Sequence, residues 1–237
     1  MAPINRWFKW PPVARNEDLN RAYDAFSFAT TILRATRRDQ PSVVADIRVY
    51  IQVPYEGTEH DSPQSRAQQA ETFSPNELKA YTIMSGDHET CHFTPKLIGY
   101  AEESQGPNGL VPGGFLITIA WQRVSGIRLG SGIIGPYSTS TLGAQSSTTR
   151  GSPGPFWYQL RKLVELGVIP LQKGTRHLVF NKTTEELYWV GWYNASLKRG
   201  VKVNNAWLAI YKLAKPSKGD SSWMTDNWPR DISKWTF

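Results

Sequence analysis

The chain has 237 residues, 40% hydrophobic and 20% charged, which suffices for one domain of two lobes with an ample core and excludes wholesale disorder. Its net charge of +7 is uneven: residues 1–139 carry 13 Lys+Arg against 14 Asp+Glu, residues 140–237 carry 14 against 6. A single cysteine, Cys91, excludes an intrachain disulfide and a cysteine-based metal cluster.

The basic half is compatible with nucleic acid, an acidic membrane surface or an anionic small molecule. The positives are dispersed and no nucleic-acid motif is present, so a solvated basic surface is the favoured reading and nucleic acid ranks last. The start, MAPINRWFKWPPVAR, places charges and prolines where a signal peptide needs an unbroken apolar run. No apolar run approaches membrane-spanning length. The expectation is a cytoplasmic protein without a membrane partner. Ten Trp, ten Tyr and nine Phe supply core and rigid pocket walls.

In chain order, residues 16–36 predict an amphipathic helix, with Leu19, Tyr23, Phe26, Thr30 and Leu33 at three- and four-residue steps behind Asn16 as N-cap. Residues 43–53, VVADIRVYIQV, predict a strand, and the polar stretch 56–72 a loop. Ser74, Pro75 and Glu77 predict a capping box opening a helix over 73–84, with Phe73 and Leu78 as its hydrophobic staple. Residues 94–100 and 114–121 read as paired strands around a Gly/Pro/Asn-rich turn. From Gly130 to Pro155 the chain is nearly uncharged and rich in Gly, Ser and Thr, which predicts a flexible linker or lid. Phe156, Leu160, Leu163 and Leu166 mark a helix ending at Gly167. A hairpin over 174–195, a helix near 203–214 and an aromatic tail with Trp223, Trp228 and Trp235 complete the chain.

This order of elements carries a resemblance. Val49-Tyr50-Ile51-Gln52 has the frame of the strand motif V-A-I-K, and Glu77 lies in the helix that would supply its ion-pair partner. Trp121-Gln122-Arg123-Val124-Ser125-Gly126 looks like a hinge between lobes. Residues 169–179 resemble a catalytic loop, and Val190-Gly191-Trp192 the metal-binding D-F-G or D-W. The chain thus resembles, over about residues 43–195, the protein-kinase-like superfamily, particularly small fungal proteins distantly related to aminoglycoside phosphotransferases. The resemblance implies an α+β, two-lobed kinase-like fold with a truncated C-terminal lobe. Its expected parts are an N-terminal lobe (1–129) with an antiparallel sheet and a capping helix, the linker or lid (130–155), and a reduced C-terminal lobe (156–237).

Position by position, the same resemblance implies lost chemistry. The phosphate-contacting lysine would be at 52, where Gln52 stands; the base Asp at 172, where Gln172 stands; the metal-binding Asn at 177, where His177 stands; the second metal-binding Asp at 191, where Gly191 stands. No glycine precedes Gly57, so the phosphate-covering loop is missing as well. Phosphoryl transfer rests on positioning and on charge neutralisation by those groups, so no phosphotransferase activity is expected.

The candidate catalytic residues are therefore His177, Gln172 and Gln52. Histidine can donate, accept or change charge near neutral pH. A histidine bonded to a loop carbonyl explains His177 equally well, and an N-cap role explains Glu77 better than a pairing with Gln52 does. Arg176 braces the loop or holds an anionic group. Tyr50, Trp121, Trp189, Trp192 and Tyr193 are the candidate substrate-binding walls, although Trp and Tyr in such segments are more often core. Alternation sets Tyr188 and Val190 on one face and Trp189 and Gly191 on the other, and the missing side chain at 191 predicts open space beside the rings. His60, His88 and His92 lack ligand spacing, so no metal is expected, and no cofactor either.

Three functions compete. A dry aromatic cleft edged by Gln52, Gln172, Arg176 and His177 suits a cofactor-independent cyclase or pericyclase of Diels–Alder type in fungal secondary metabolism, acting on an apolar small molecule with an anionic group. A pseudokinase-like binding or regulatory module is the alternative. Nucleic-acid binding comes last. The residues set no oligomeric state.

Overall fold

The computed structural model describes residues 26–36, 44–129, 154–170, 174–219, 221–224 and 233–235. It is a mixed α/β structure with antiparallel strand pairings and few helices. Strands β1 (Ser27–Thr36), β2 (Val44–Val53), β3 (Leu97–Ser104) and β4 (Phe115–Gln122) form one sheet in the order β1-β2-β4-β3. Short helix α1 (Pro63–Ala67) and helix α2 (Asn76–Gly86) lie between β2 and β3 in the chain. Strands β5 (Ile127–Arg128), β7 (Leu178–Asn181) and β8 (Glu186–Trp189) form a second sheet, ordered β5-β7-β8. Helix α3 (Gly154–Glu165) leads into β6 (Val168–Pro170), which pairs with β9 (Ala195–Leu197), and α4 (Ala206–Ile210) follows.

The chain divides into two compact units, each assembled from separated stretches. The first takes its described residues from Met1–Arg34, Ile47–Phe73 and Tyr100–Ile119. Its centre is a cluster of rings: Phe73 lies 5.2 Å from Phe26, 5.4 Å from Phe28 and 5.1 Å from Phe115, with Tyr50 6.0 Å away. Such pairs sit at favourable centroid separations and add to the area they bury. This cluster corrects the expected helix over 16–36. Residues 27–36 are a strand; 16–25 lie outside the described residues. Phe26 and Phe28, two apart, both reach Phe73 and Phe115, as a period-two backbone requires. The following Thr30-Thr31-Ile32 run is β-branched and stiff, which disfavours a helix.

Three glutamines tie the loops of this unit to the end of β2. Gln105 donates to the carbonyls of Gln52 (2.8 Å) and Phe115 (3.3 Å) and accepts from the Val111 amide at 3.1 Å. Gln52 donates to the Gln69 carbonyl and accepts from the Glu71 amide at 3.0 Å. Gln69 in turn accepts from the Tyr55 amide and donates to the Thr58 hydroxyl, both at 2.9 Å. The polar stretch 56–72 is thus an anchored loop holding α1, whose N-cap Ser62 accepts from the Ser65 amide at 3.2 Å.

The second unit takes its described residues from Ala35–Asp46, Ser74–Gly99 and Ala120–Phe237. Helix α2 starts one residue later than the capping box predicts: Pro75, extended at φ −61° and ψ 139°, is the N-cap, no side chain caps it, and Glu77 is fully buried. Helix α3 follows its expected stripe, burying Phe156, Leu160 and Leu163, and Gly167 ends it at φ 76°. The helix expected near 203–214 spans only Ala206–Ile210; Lys212 at φ 55° turns the chain back, so that the Leu213 amide donates to the Leu208 carbonyl at 2.8 Å. Most of the expected linker or lid, residues 130–153, lies outside the described residues, as do the side chain of Trp223 and all of Trp228.

Candidate functional site

Strands β7 and β8 pair with Leu178 opposite Trp189 and Asn181 opposite Glu186, around a turn at 182–185. That register brings the residues just outside the ladder together: the Val190 amide donates to the His177 carbonyl at 2.8 Å. β5 pairs on the other side of β7, Arg128 opposite Val179, and the Leu129 amide donates to the Leu178 carbonyl at 2.9 Å. Arg128, Arg176, His177 and Gly191 consequently gather at one end of this small sheet.

Gly191 has φ +83°, a region L side chains rarely adopt. A Cβ built there would stand 2.3 Å from His177 Nδ1 and 3.0 Å from its Cε1. The space expected beside Gly191 is therefore not open; the imidazole fills it. Glycine is required because the ring lies directly on the backbone.

His177 is buried at the end of a 3-10 turn, Thr175–His177, and its Nε2 accepts from Arg176 Nε at 3.0 Å. That acceptor role fixes a neutral ring with the proton on Nδ1. Burial, then the guanidinium of Arg176, hold the imidazole below its ordinary range; a bond to the Val190 backbone opposes them, and Arg128 adds to the depression. Both charges acting on the ring are positive. Arg176 is exposed; apart from its bond to His177, its guanidinium has no hydrogen-bond or ion-pair partner among the described residues. Nearby on β8, burial and then the hydrogen bond to Glu186 (2.6 Å) push the Tyr188 phenol up to about 12.

Of the five aromatic residues expected as substrate walls, Tyr50, Trp121, Trp189 and Trp192 are packed as core. Trp189 is fully buried, stacks on Phe156 at 5.2 Å, meets Tyr211 edge-on at 5.0 Å, and donates through Nε1 to Gln159 Oε1 at 2.9 Å. Gln159 completes its own bonding by donating to the Leu187 carbonyl at 2.9 Å. Trp121 stacks on Tyr81 at 5.2 Å within the same unit. Trp192 is buried, and Tyr193 is half-buried in the turn before β9. Tyr50 belongs to the ring cluster of the first unit. Gln52 is fully buried there with both ends of its amide engaged, so its position holds a structural latch. Gln172 lies outside the described residues. Of the nominated residues, His177 and Arg176 meet.

Among the described residues, no group of three or more His, Cys, Asp or Glu is placed to hold a metal ion; His88 and His92 touch edge-on at 5.3 Å without a third partner of that kind. No helix among them is long and apolar enough to cross a membrane. Sequence reasoning missed Gln159 and Arg128. Gln159 carried a signal, since a glutamine between Phe156 and Leu160 on the apolar stripe of α3 must find a buried partner. Arg128 carried none, because its neighbour across the ladder is about fifty residues away in the chain.

No protein-family model matches the chain, and no curated protein sequence matches it significantly. Among solved structures, the chain is similar to the kinase PK-1 of Cydia pomonella granulovirus, at 11% identity and a TM-score of 0.37. The match covers 71% of this chain and 52% of that kinase, so this chain spans about half of its length.

Proposed function

We propose that the chain is a kinase-like protein that does not transfer phosphate and serves as a ligand-binding module. The observation that carries this reading is the seat of His177 on Gly191. In the frame the sequence suggests, positions 177 and 191 would hold the two metal ligands of a phosphotransferase. Here an imidazole Nδ1 lies 2.3 Å from where any side chain at 191 would begin, and the ring is neutral and bonded to the Arg176 guanidinium. A magnesium nucleotide needs oxygen ligands at such a place, and this one offers positive charge instead. Gln52, at the position of the phosphate-contacting lysine, spends both amide atoms on the loop 69–71. The sheet order β1-β2-β4-β3, with α2 between β2 and β3, fits the same frame.

The test is a thermal-shift panel beside a phosphotransfer assay. Expected are no γ-phosphate transfer from MgATP and no magnesium-dependent stabilisation. Magnesium-dependent turnover would end the reading.

One observation favours a second reading, the cofactor-independent cyclase. A neutral imidazole held by an exposed arginine can polarise a substrate carbonyl or stabilise developing negative charge. Because four of the five nominated aromatic walls are core, this reading stands behind the first. Product formed from polyene or terpenoid substrates without metal or nucleotide, and lost in Arg176→Gln, would reverse that order.

A further inference from the structure

Residues 187–219 hold six cations, Lys198, Arg199, Lys202, Lys212, Lys215 and Lys218, and no Asp or Glu. All six are exposed, and none of their side chains has a hydrogen bond or ion pair among the described residues. By contrast, Lys162 lies 2.8 Å from Glu89 and Arg123 3.8 Å from Asp46. The backbone that carries the six is held. The Lys198 amide donates to the Gly167 carbonyl at 2.9 Å, and the stem of Arg199 lies against Gly167, where an added Cβ would meet its Cγ at 3.0 Å. Beyond α4, the return of the Leu213 amide to the Leu208 carbonyl buries Leu213 and Ala214 and leaves Lys212 and Lys215 exposed. The Ser217 hydroxyl donates to the Lys234 carbonyl at 3.1 Å, which brings another exposed cation to the segment that carries Lys218.

The chemistry of this surface selects among anionic partners. Five of the six are lysine, a hydrated point charge that is depleted from protein interfaces, whereas bidentate phosphate recognition in nucleic acids favours arginine. Trp192, Trp207 and Tyr211, the rings of the stretch nearest the cations, are buried and offer no face for a base to stack on. Its one helix, α4, has five residues and leaves little to lay in a groove. Clusters of roughly four to eight lysines and arginines are what anionic lipid headgroups attract. Leu197, exposed beside Lys198, adds an apolar contact at the same place. We propose that the surface of residues 197–218 rests on an anionic lipid bilayer of the phosphatidylserine class, as a peripheral contact. The expectation of no membrane partner followed from the lack of a spanning run, and contact with headgroups requires none. The surface acts independently of what the His177 site binds.

The experiment is cosedimentation of the full chain with vesicles of phosphatidylcholine, with and without phosphatidylserine, at low and high salt. Expected is binding that requires phosphatidylserine and falls away at high salt. Lys198→Gln/Lys202→Gln and Lys212→Gln/Lys215→Gln should each weaken it about twentyfold, since one cation at a charged bilayer contributes a factor of about five. Lys79→Gln/Lys182→Gln removes the same charge from exposed positions elsewhere and should weaken it less than about twofold. All three double variants should melt with the wild type, because the side chains removed have no partners among the described residues. If the Lys79/Lys182 double loses as much as either of the others, the effect is net charge alone and the surface is overturned. Equal binding to vesicles without phosphatidylserine overturns the lipid assignment. So does tighter binding, at the same salt, to single-stranded or duplex RNA than to phosphatidylserine vesicles.

Discussion

Replacing Gly191 by alanine probes the contact on which the site is built. The added Cβ would begin 2.3 Å from His177 Nδ1, whereas ordinary van der Waals contact begins near 3.4 Å, so the ring must retreat by about 1 Å. It cannot do so freely, since Nε2 is bonded to Arg176 and the backbone to Val190. Overpacking of this kind costs about 1–3 kcal/mol. Holding an L-residue at φ +83° adds a further 1–3 kcal/mol, roughly. Against a total stability of about 5–15 kcal/mol, the melting temperature should fall by on the order of 10 °C. Adding His177→Ala to Gly191→Ala removes the steric part and leaves the backbone part. A double-mutant cycle read by thermal and urea unfolding should give a coupling of about 1–3 kcal/mol. Additivity within about 0.5 kcal/mol would refute the contact.

Acid should weaken the fold through His177. Its folded pKa lies below the unfolded one, so its contribution is complete above pH ~6.5 and is lost as pH falls through the folded value. Melting temperatures between pH 8 and 5 should therefore drop more steeply in wild type than in His177→Gln; parallel curves would contradict the neutral buried ring. Gln52→Lys should destabilise by about 1–3 kcal/mol in urea unfolding, because an ammonium cannot accept the Glu71 N–H. It should confer no activity towards MgATP. Trp189→Ala should cost about 3–5 kcal/mol as a large core truncation. Trp189→Phe should cost less but leave Gln159 Oε1 without its donor, a loss that Gln159→Leu in the same chain should partly recover.

Much of the strand framework was legible, because β-branched and aromatic runs such as Val49-Tyr50-Ile51 and residues 115–120 have few alternatives to a sheet. The helix start near Asn76 and the stripe of α3 were legible for the same local reason. Residues 27–36 misled because Phe26, Thr30 and Leu33 satisfy a helical spacing by chance, while the tertiary contacts of Phe26 and Phe28 with Phe73 and Phe115 decide the outcome. The tryptophans near Gly191 could be located but not classed. Whether a ring faces solvent depends on a partner elsewhere in the chain: Phe156 and Gln159 for Trp189, Tyr81 for Trp121. The seat of His177 on Gly191 was half legible. A glycine between aromatics announces space, yet only the register of β7 with β8 says which side chain takes it.

On the proposed reading, the end of the β5-β7-β8 sheet has no seat for a divalent metal carrying a nucleotide. Manganese, added with ATP to uniformly 15N-labelled protein, relaxes nearby nuclei strongly and reads that seat directly. The signals of His177 and of the amides of Val190, Gly191 and Trp192 should keep their widths, with any broadening no greater than that of surface residues such as Lys182. Selective, saturable broadening of those four would show a bound metal nucleotide there and contradict the account.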